Sequence, residues 1–190
     1  MNVKSLIGLA TVTFMIAACQ SNTYHIKGEA KGFKEGTSLC LSAGLTDRKT
    51  IDTLYITNGR FSYEGATDSV YLCRLCPVGA HQEEEILFFL EPGNIYIELS
   101  QEASHSRVSG TKVNNEWQAL NDRVTASDHE IRRIMAQAKD SISTRKLYDD
   151  MERIYTGLTA DIKKTALRNK DNALGHFISH HFNMNTQQIR

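Results

Sequence analysis

Cys73 and Cys76, in the stretch Ser69-Val70-Tyr71-Leu72-Cys73-Arg74-Leu75-Cys76-Pro77-Val78-Gly79, are the first residues in this chain whose type and spacing could do chemistry. A Cys-x-x-Cys can be a redox dithiol or half of a metal clip. A thiol–disulfide catalyst needs its first cysteine at a helix N-terminus, where free N–H groups and the helix dipole stabilise the thiolate. The setting here is different. Tyr71-Leu72-Cys73-Arg74-Leu75 reads as a strand, Pro77 biases Cys76 towards extended backbone, and the residues after it carry no amphipathic helix. Residues three apart on a strand point to opposite faces with Cα atoms roughly 10 Å apart, whereas a disulfide needs less than about 7 Å. The expectation is two small, half-buried strand thiols. A small thiol–disulfide oxidoreductase using Cys73 and Cys76 is the alternative function. Cys40 bonded to Cys73 or to Cys76 across neighbouring strands is a structural option.

Other reactive types are arranged less suggestively. His176 and His180 stand four apart, which puts two imidazoles on one helix face as a metal site would require. No glutamate occupies the metalloprotease position and no third ligand follows, so the histidines read as incidental on a solvated helix. His81 is a stray candidate to join the thiols as a zinc ligand, and the spacing offers no full ligand set. Glu83-Glu84-Glu85 reads as a charged loop tip before a buried strand, a device that also discourages edge-to-edge aggregation. Trp117, the single tryptophan, could serve as a ligand platform but sits at the head of a helical stripe, where it anchors a helix to a sheet. No Gly-x-Ser-x-Gly, phosphate-binding glycine loop or His-Glu-x-x-His is present. The sequence therefore assigns no catalytic, cofactor-binding or metal-ligating residue.

The elements that would position these residues change character near Gly110. Before it, period-two patterns dominate: residues 24–28, 37–41, 51–57, 60–63, 70–76, 86–90 and 95–99 read as strands. Asn58-Gly59 is a strong hairpin signal, since both residues accept positive φ. Ile86-Leu87-Phe88-Phe89-Leu90 is apolar throughout, as in a strand buried on both faces. After Gly110 the apolar period is helical. Trp117, Leu120 and Val124 begin one stripe, and Ile131, Ile134, Met135, Ala138 and Ile142 continue it after a restart at a capping box, Ser127-x-x-Glu130. Leu147, Met151, Ile154, Tyr155, Leu158 and Ile162 form a second stripe, and Leu174, Phe177 and Ile178 a short third. The fold class is α+β: an N-terminal antiparallel β-sandwich or partial barrel of about seven strands, then a helical hairpin and a short C-terminal helix.

The N-terminus gives an address. Lys4 precedes an apolar run from Leu6 to Ala18 that is too short to span a bilayer, which takes roughly 20 residues, but fits a secretory signal. Ile16-Ala17-Ala18-Cys19 resembles a bacterial lipobox, which implies cleavage before Cys19 and lipidation of Cys19. The domains are then residues 1–18, a lipoprotein signal peptide; 19–110, β-rich; and 111–190, a helical extension. Acidic and basic residues balance at 22 each, and with no basic patch nucleic acid is not an expected partner. Near-zero net charge favours association or a tether over free solubility. Beyond Cys19, the three cysteines Cys40, Cys73 and Cys76 are too few for a disulfide-built scaffold.

Several of these residues carry a family resemblance. Tyr24-x-Ile26-x-Gly28, Gly36-Thr37-x-Leu39-x-Leu41, Asn58-Gly59-Arg60-Phe61 with Ser62-Tyr63-Glu64-Gly65, Phe88-Phe89-Leu90-Glu91-Pro92-Gly93, Ile95-x-Ile97 and Val108-Ser109-Gly110-Thr111-x-x-Asn114 occur in order from Tyr24 to Asn114. Together they resemble the DUF4369 module of Bacteroidetes envelope lipoproteins. The resemblance implies a β-rich module with trailing helices, which in full-length relatives precedes a thioredoxin-like, peroxiredoxin-type domain carrying its own redox Cys-x-x-Cys. This chain stops at Arg190, about where that domain would begin, so no catalytic residue carries over. It is either a standalone module or a chain whose catalytic half has been lost. The uncharged Cys19-Gln20-Ser21-Asn22-Thr23 favours a periplasm-facing anchor in the outer membrane. The expected function is a lipid-anchored envelope module that binds or positions a partner without catalysis of its own. The expected partners are the membrane through the lipid, and a thioredoxin-like protein or a second copy.

Overall fold

The alternation of apolar and polar residues before Gly110 produces, among the described residues, eight strands that pair into two sheets. The computed structural model describes residues 22–44, 47–79, 85–138 and 144–184. Cys19, His81, Glu83, Glu84 and Ile142, singled out above, lie outside the described residues. One sheet has the order β4 (Arg60–Ala66), β1 (Thr23–Glu29), β7 (Gly93–Glu98), β8 (Arg107–Ser109). The other has the order β3 (Lys49–Tyr55), β2 (Ser38–Ala43), β5 (Tyr71–Pro77), β6 (Ile86–Leu90). The two sheets enclose a core that includes Tyr24, Ile26, Leu39, Leu41, Phe61, Leu75, Phe88, Ile95 and Ile97. Among the described residues the architecture is a sandwich without a closed barrel.

Three particulars differ from what alternation alone implies. An eighth strand, β8, is only three residues long and gives too short a pattern to recognise. β1 and β7 run parallel while the other pairs are antiparallel, because alternation records which face a residue occupies and not strand direction. Asn58 and Gly59 do make a turn with positive φ (53° and 70°), but a single bridge, Thr57 to Arg60, is all that pairs across it. The chain then passes from one sheet to the other, so β3 and β4 are not hairpin partners.

Cross-strand glycine–aromatic pairs account for four of the motif residues. Tyr24 stands opposite Gly65, and Gly28 opposite Phe61. A Cβ on Gly28 would overlap the Phe61 ring, and one on Gly65 would overlap Tyr24. Each ring lies across the glycine of its partner strand and covers backbone that no side chain could otherwise shield.

The helices close one open side of the sandwich. α1 (Lys112–Ala138) runs antiparallel to α2 (Thr144–Arg168), tied by the Arg123–Asp161 ion pair at 2.8 Å and by the Glu116–Asn169 hydrogen bond. α3 (Ala173–His181) is capped by Asn172, whose side chain accepts from Leu174 N and Gly175 N. Ser127 does not restart a helix: it is buried in the middle of a continuous α1. Phe89, Val113, Leu120, Ile162, Leu174, Phe177 and Ile178 make a second core between helices and sheet. β6 is thereby buried on both faces, with Phe88 in the first core and Phe89 in the second. Met135 and Tyr155, assigned to apolar stripes by spacing, are mostly exposed. A two-helix seam covers a narrower stripe than a helix docked on a sheet. No described helix is long and apolar enough to cross a membrane.

Candidate functional site

β5 places Cys73 and Cys76 on opposite faces. Cys73 is fully buried in the sandwich core with Leu75, while Cys76 is half-buried on the outer face. Cys40, Cys73 and Cys76 are all free thiols. Burial pushes the Cys73 thiol up to about 12, so the nucleophilic thiolate is strongly disfavoured at neutral pH. Cys76 is also shifted upward, mainly by burial and then by Cys40 and Glu85, against the opposing pull of Arg48 and Arg74. The Cys-x-x-Cys is thus two thiols in separate environments.

The buried thiol has a consequence at alkaline pH. Between about pH 9 and 12 the unfolded chain loses this proton while the folded chain keeps it, so the native state binds more protons and stability falls as pH rises, by up to about 1.4 kcal/mol per pH unit. Tyr24, raised to about 12 by burial and then by Tyr63, adds a second such contribution above pH 10. Urea midpoints at pH 8, 9 and 10 should drop more steeply for the wild type than for Cys73→Ala. Parallel slopes would contradict the burial of this thiol.

The remaining sequence candidates separate. His176 and His180 are exposed on α3. Among the described residues no group of three His, Cys, Asp or Glu stands close enough to hold a metal. Glu85, the last of the three glutamates, turns inward and pairs with Arg74 at 3.0 Å and Arg48 at 3.5 Å. Trp117 is the anchor its position suggested: its indole N–H donates to Leu87 O at 2.8 Å, and its ring packs edge-on to Phe89 and Phe177.

A concavity lies, among the described residues, where the sequence offered no catalytic or ligand-binding motif. The outer face of the β4-β1-β7-β8 sheet forms an open groove of about 800 Å³. Lys27 and Glu29 of β1, Arg60 of β4 and Glu98 of β7 line it, between Tyr96 and Tyr55. Tyr55 is 61% exposed and Tyr96 46%. Tyr96 lies over Gly110, where a Cβ would collide with its ring. Lys31 pairs with Glu29 at 3.0 Å, and its hydrogen bond holds the Glu29 carboxyl below the usual range. A readable signal did exist. Ile95-Tyr96-Ile97 and Leu54-Tyr55-Ile56 each put a large aromatic in the polar phase of an alternating run. An aromatic there faces water unless something covers it.

The fold defines a class: a two-sheet β-sandwich whose open side is closed by a helical hairpin. Residues 24–117 match the family model described as DUF4369, domain of unknown function, so this segment is a module of that type. The match runs seven residues past Gly110 and takes in Asn114 and Trp117, the two α1 residues that bond to β6. No curated protein matches the chain.

Proposed function

We infer that this chain is a lipid-anchored envelope module that binds and positions a protein partner through the groove on the β4-β1-β7-β8 sheet. The observation that carries this reading is the pair of exposed tyrosines flanking Lys27, Glu29, Arg60 and Glu98. Tyrosine and arginine on a mixed-charge concave face are the composition of protein-binding hot spots. Such a face suits a folded partner better than a polyanion. Cys19 precedes β1 by so few residues that a lipidated Cys19 tethers Thr23 within roughly 14 Å of the membrane surface. The groove is lined from the opposite end of β1, at Lys27, Gly28 and Glu29. A thioredoxin-like protein is the partner the family resemblance favours.

A photo-crosslinking residue at Tyr96 in the full chain should capture one envelope protein reproducibly. Tyr55→Ala with Tyr96→Ala should weaken that association by about tenfold or more without altering the circular dichroism spectrum. Cys19→Ser should move the chain from the membrane to the soluble fraction. Capture of a second copy would replace the thioredoxin-like partner with self-association. Crosslinking to no protein, or unchanged affinity in the double variant, would overturn the groove as the binding surface.

A further inference from the structure

The third cysteine forms a pair that the Cys-x-x-Cys spacing hides. Cys40 of β2 lies directly opposite Cys76 of β5 in antiparallel register. Directly opposed residues share a sheet face. This one is the outer face, because the neighbours Leu39, Leu41 and Leu75 all point into the core. The type of pair follows from the flanking bonds. Val78 N donates to Ser38 O at 2.9 Å, and Gly44 N donates to Leu72 O at 3.1 Å. Hydrogen-bonded pairs recur at every second position in an antiparallel ladder, so Ser38–Val78, Cys40–Cys76, Ser42–Arg74 and Gly44–Leu72 belong to one series. Leu39–Pro77 falls between them, where the missing proline N–H costs no ladder bond. A hydrogen-bonded pair has a Cα separation of ~5.5 Å, inside the span a disulfide bridges. Both residues are half-exposed, within reach of a reagent in solution.

We propose that Cys40 and Cys76 form a reversible cross-strand disulfide, making this face of the sheet a substrate for thiol–disulfide exchange. The oxidant is a disulfide, of low molecular weight or protein-borne. A thiolate of the pair attacks one sulfur of that disulfide, forming a mixed disulfide and expelling one thiolate. The second cysteine then attacks the protein sulfur of the mixed disulfide, forming Cys40–Cys76 and expelling the other. The protein gives up two electrons and two protons, and the donor becomes two thiols. Cys73 takes no part, since it points into the core on the other face of β5. The bond would staple β2 to β5 and close the chain segment between them, removing freedom from the unfolded state.

The test equilibrates the full chain in glutathione buffers of increasing oxidised fraction, quenches with acid, alkylates free thiols and maps the peptides. The expected result is one intramolecular link, Cys40 to Cys76, reversed by reduced glutathione. Cys73 should be alkylated only after denaturation. Cys40→Ser and Cys76→Ser should each abolish the link and Cys73→Ser should leave it. Oxidation should raise the wild-type Tm by roughly 10 °C and leave the Tm of Cys40→Ser unchanged. Three findings would overturn the proposal: a link involving Cys73 or Cys19, stable mixed disulfides with glutathione on both residues, or two free thiols at the most oxidising ratio.

Discussion

Asn114→Ala is expected to destabilise the protein by about 3–5 kcal/mol, the loss of several buried hydrogen bonds at once. Asn114 is fully buried. Its Oδ1 accepts from Phe89 N at 2.8 Å, and its Nδ2 donates to Phe89 O at 2.7 Å and to Thr111 Oγ1 at 2.8 Å. The side-chain amide thus docks on β6 as another strand's peptide group would, at the edge of the sheet. Alanine leaves the Phe89 N–H and C=O both without that partner in a dry site, where each costs about 1–3 kcal/mol. At 2–4 °C per kcal/mol for a chain of this size, Tm should fall by roughly 10 °C or more. Asn114→Asp supplies an internal control. The carboxylate still accepts from Phe89 N but faces Phe89 O with no proton to donate. Burial raises its pKa above the unfolded value, so its neutral, donating form is favoured below the unfolded pKa and that advantage is lost as pH rises. The Asp variant should therefore lie closer to wild type at pH 4 than at pH 7 in urea midpoint. A variant as stable as wild type at pH 7 would mean that β6 does not need this bond.

The same logic extends along α1 and explains why the helix belongs to the β module. β6 and β8 are both edge strands, one in each sheet. Edge strands expose unpaired N–H and C=O groups that recruit other strands. Gln118 Oε1 accepts from Val108 N of β8 at 2.8 Å, and Trp117 donates to Leu87 O of β6. Asn114, Trp117 and Gln118 together bond to both edges on the open side. The helix N-terminus is tied in return by Glu91, whose carboxylate accepts from Val113 N at 3.1 Å. An acceptor from the β6–β7 turn thus takes the role of a local cap. Glu91, Thr111 and Asn114, loose motif marks in the sequence, are parts of one joint.

How far the fold can be read from the residues follows from what each kind of pattern encodes. Period two identified which face of each strand is buried. Leu39 and Leu41 point in, Cys40 points out, and Phe88 and Phe89 fill different cores. It carried no information on pairing, which is why the opposition of Cys40 and Cys76 and the parallel β1–β7 pair emerge only in three dimensions. The Asn58-Gly59 turn was legible because positive φ is a local property. That its flanking strands enter different sheets depends on distant partners. Helical period placed α1, α2 and α3, yet Ser127-x-x-Glu130 imitated a cap, because polar residues three apart also occur at the margins of a helical stripe. The groove was illegible as a site because its residues come from five strands that meet only in the folded chain. Only the out-of-phase Tyr55 and Tyr96 marked it.

Trp117→Ala should cost about 3–5 kcal/mol, the range for removing a large core aromatic. The ring belongs to both cores at once, packing against the sandwich and against the helix cluster. It meets Phe89 at 6.4 Å and Phe177 at 5.3 Å, both edge-on, and Phe89 meets Phe177 edge-on at 6.0 Å. Three mutually perpendicular rings from β6, α1 and α3 thus fix the helices to the sheet. Trp117→Phe keeps most of that packing and loses the bond to Leu87 O, and should cost roughly 1–2 kcal/mol beyond the area lost. A double-mutant cycle with Phe177→Ala should give a coupling of about 0.5–1.5 kcal/mol, the worth of an edge-to-face pair beyond simple burial. Because Trp117 is the single tryptophan, unfolding must be followed by circular dichroism in these variants. A ligand-platform tryptophan would behave oppositely, with stability nearly unchanged and partner binding lost. Near-wild-type melting of Trp117→Ala would therefore move this residue from the joint to the binding surface and detach the helices from the sandwich's stability.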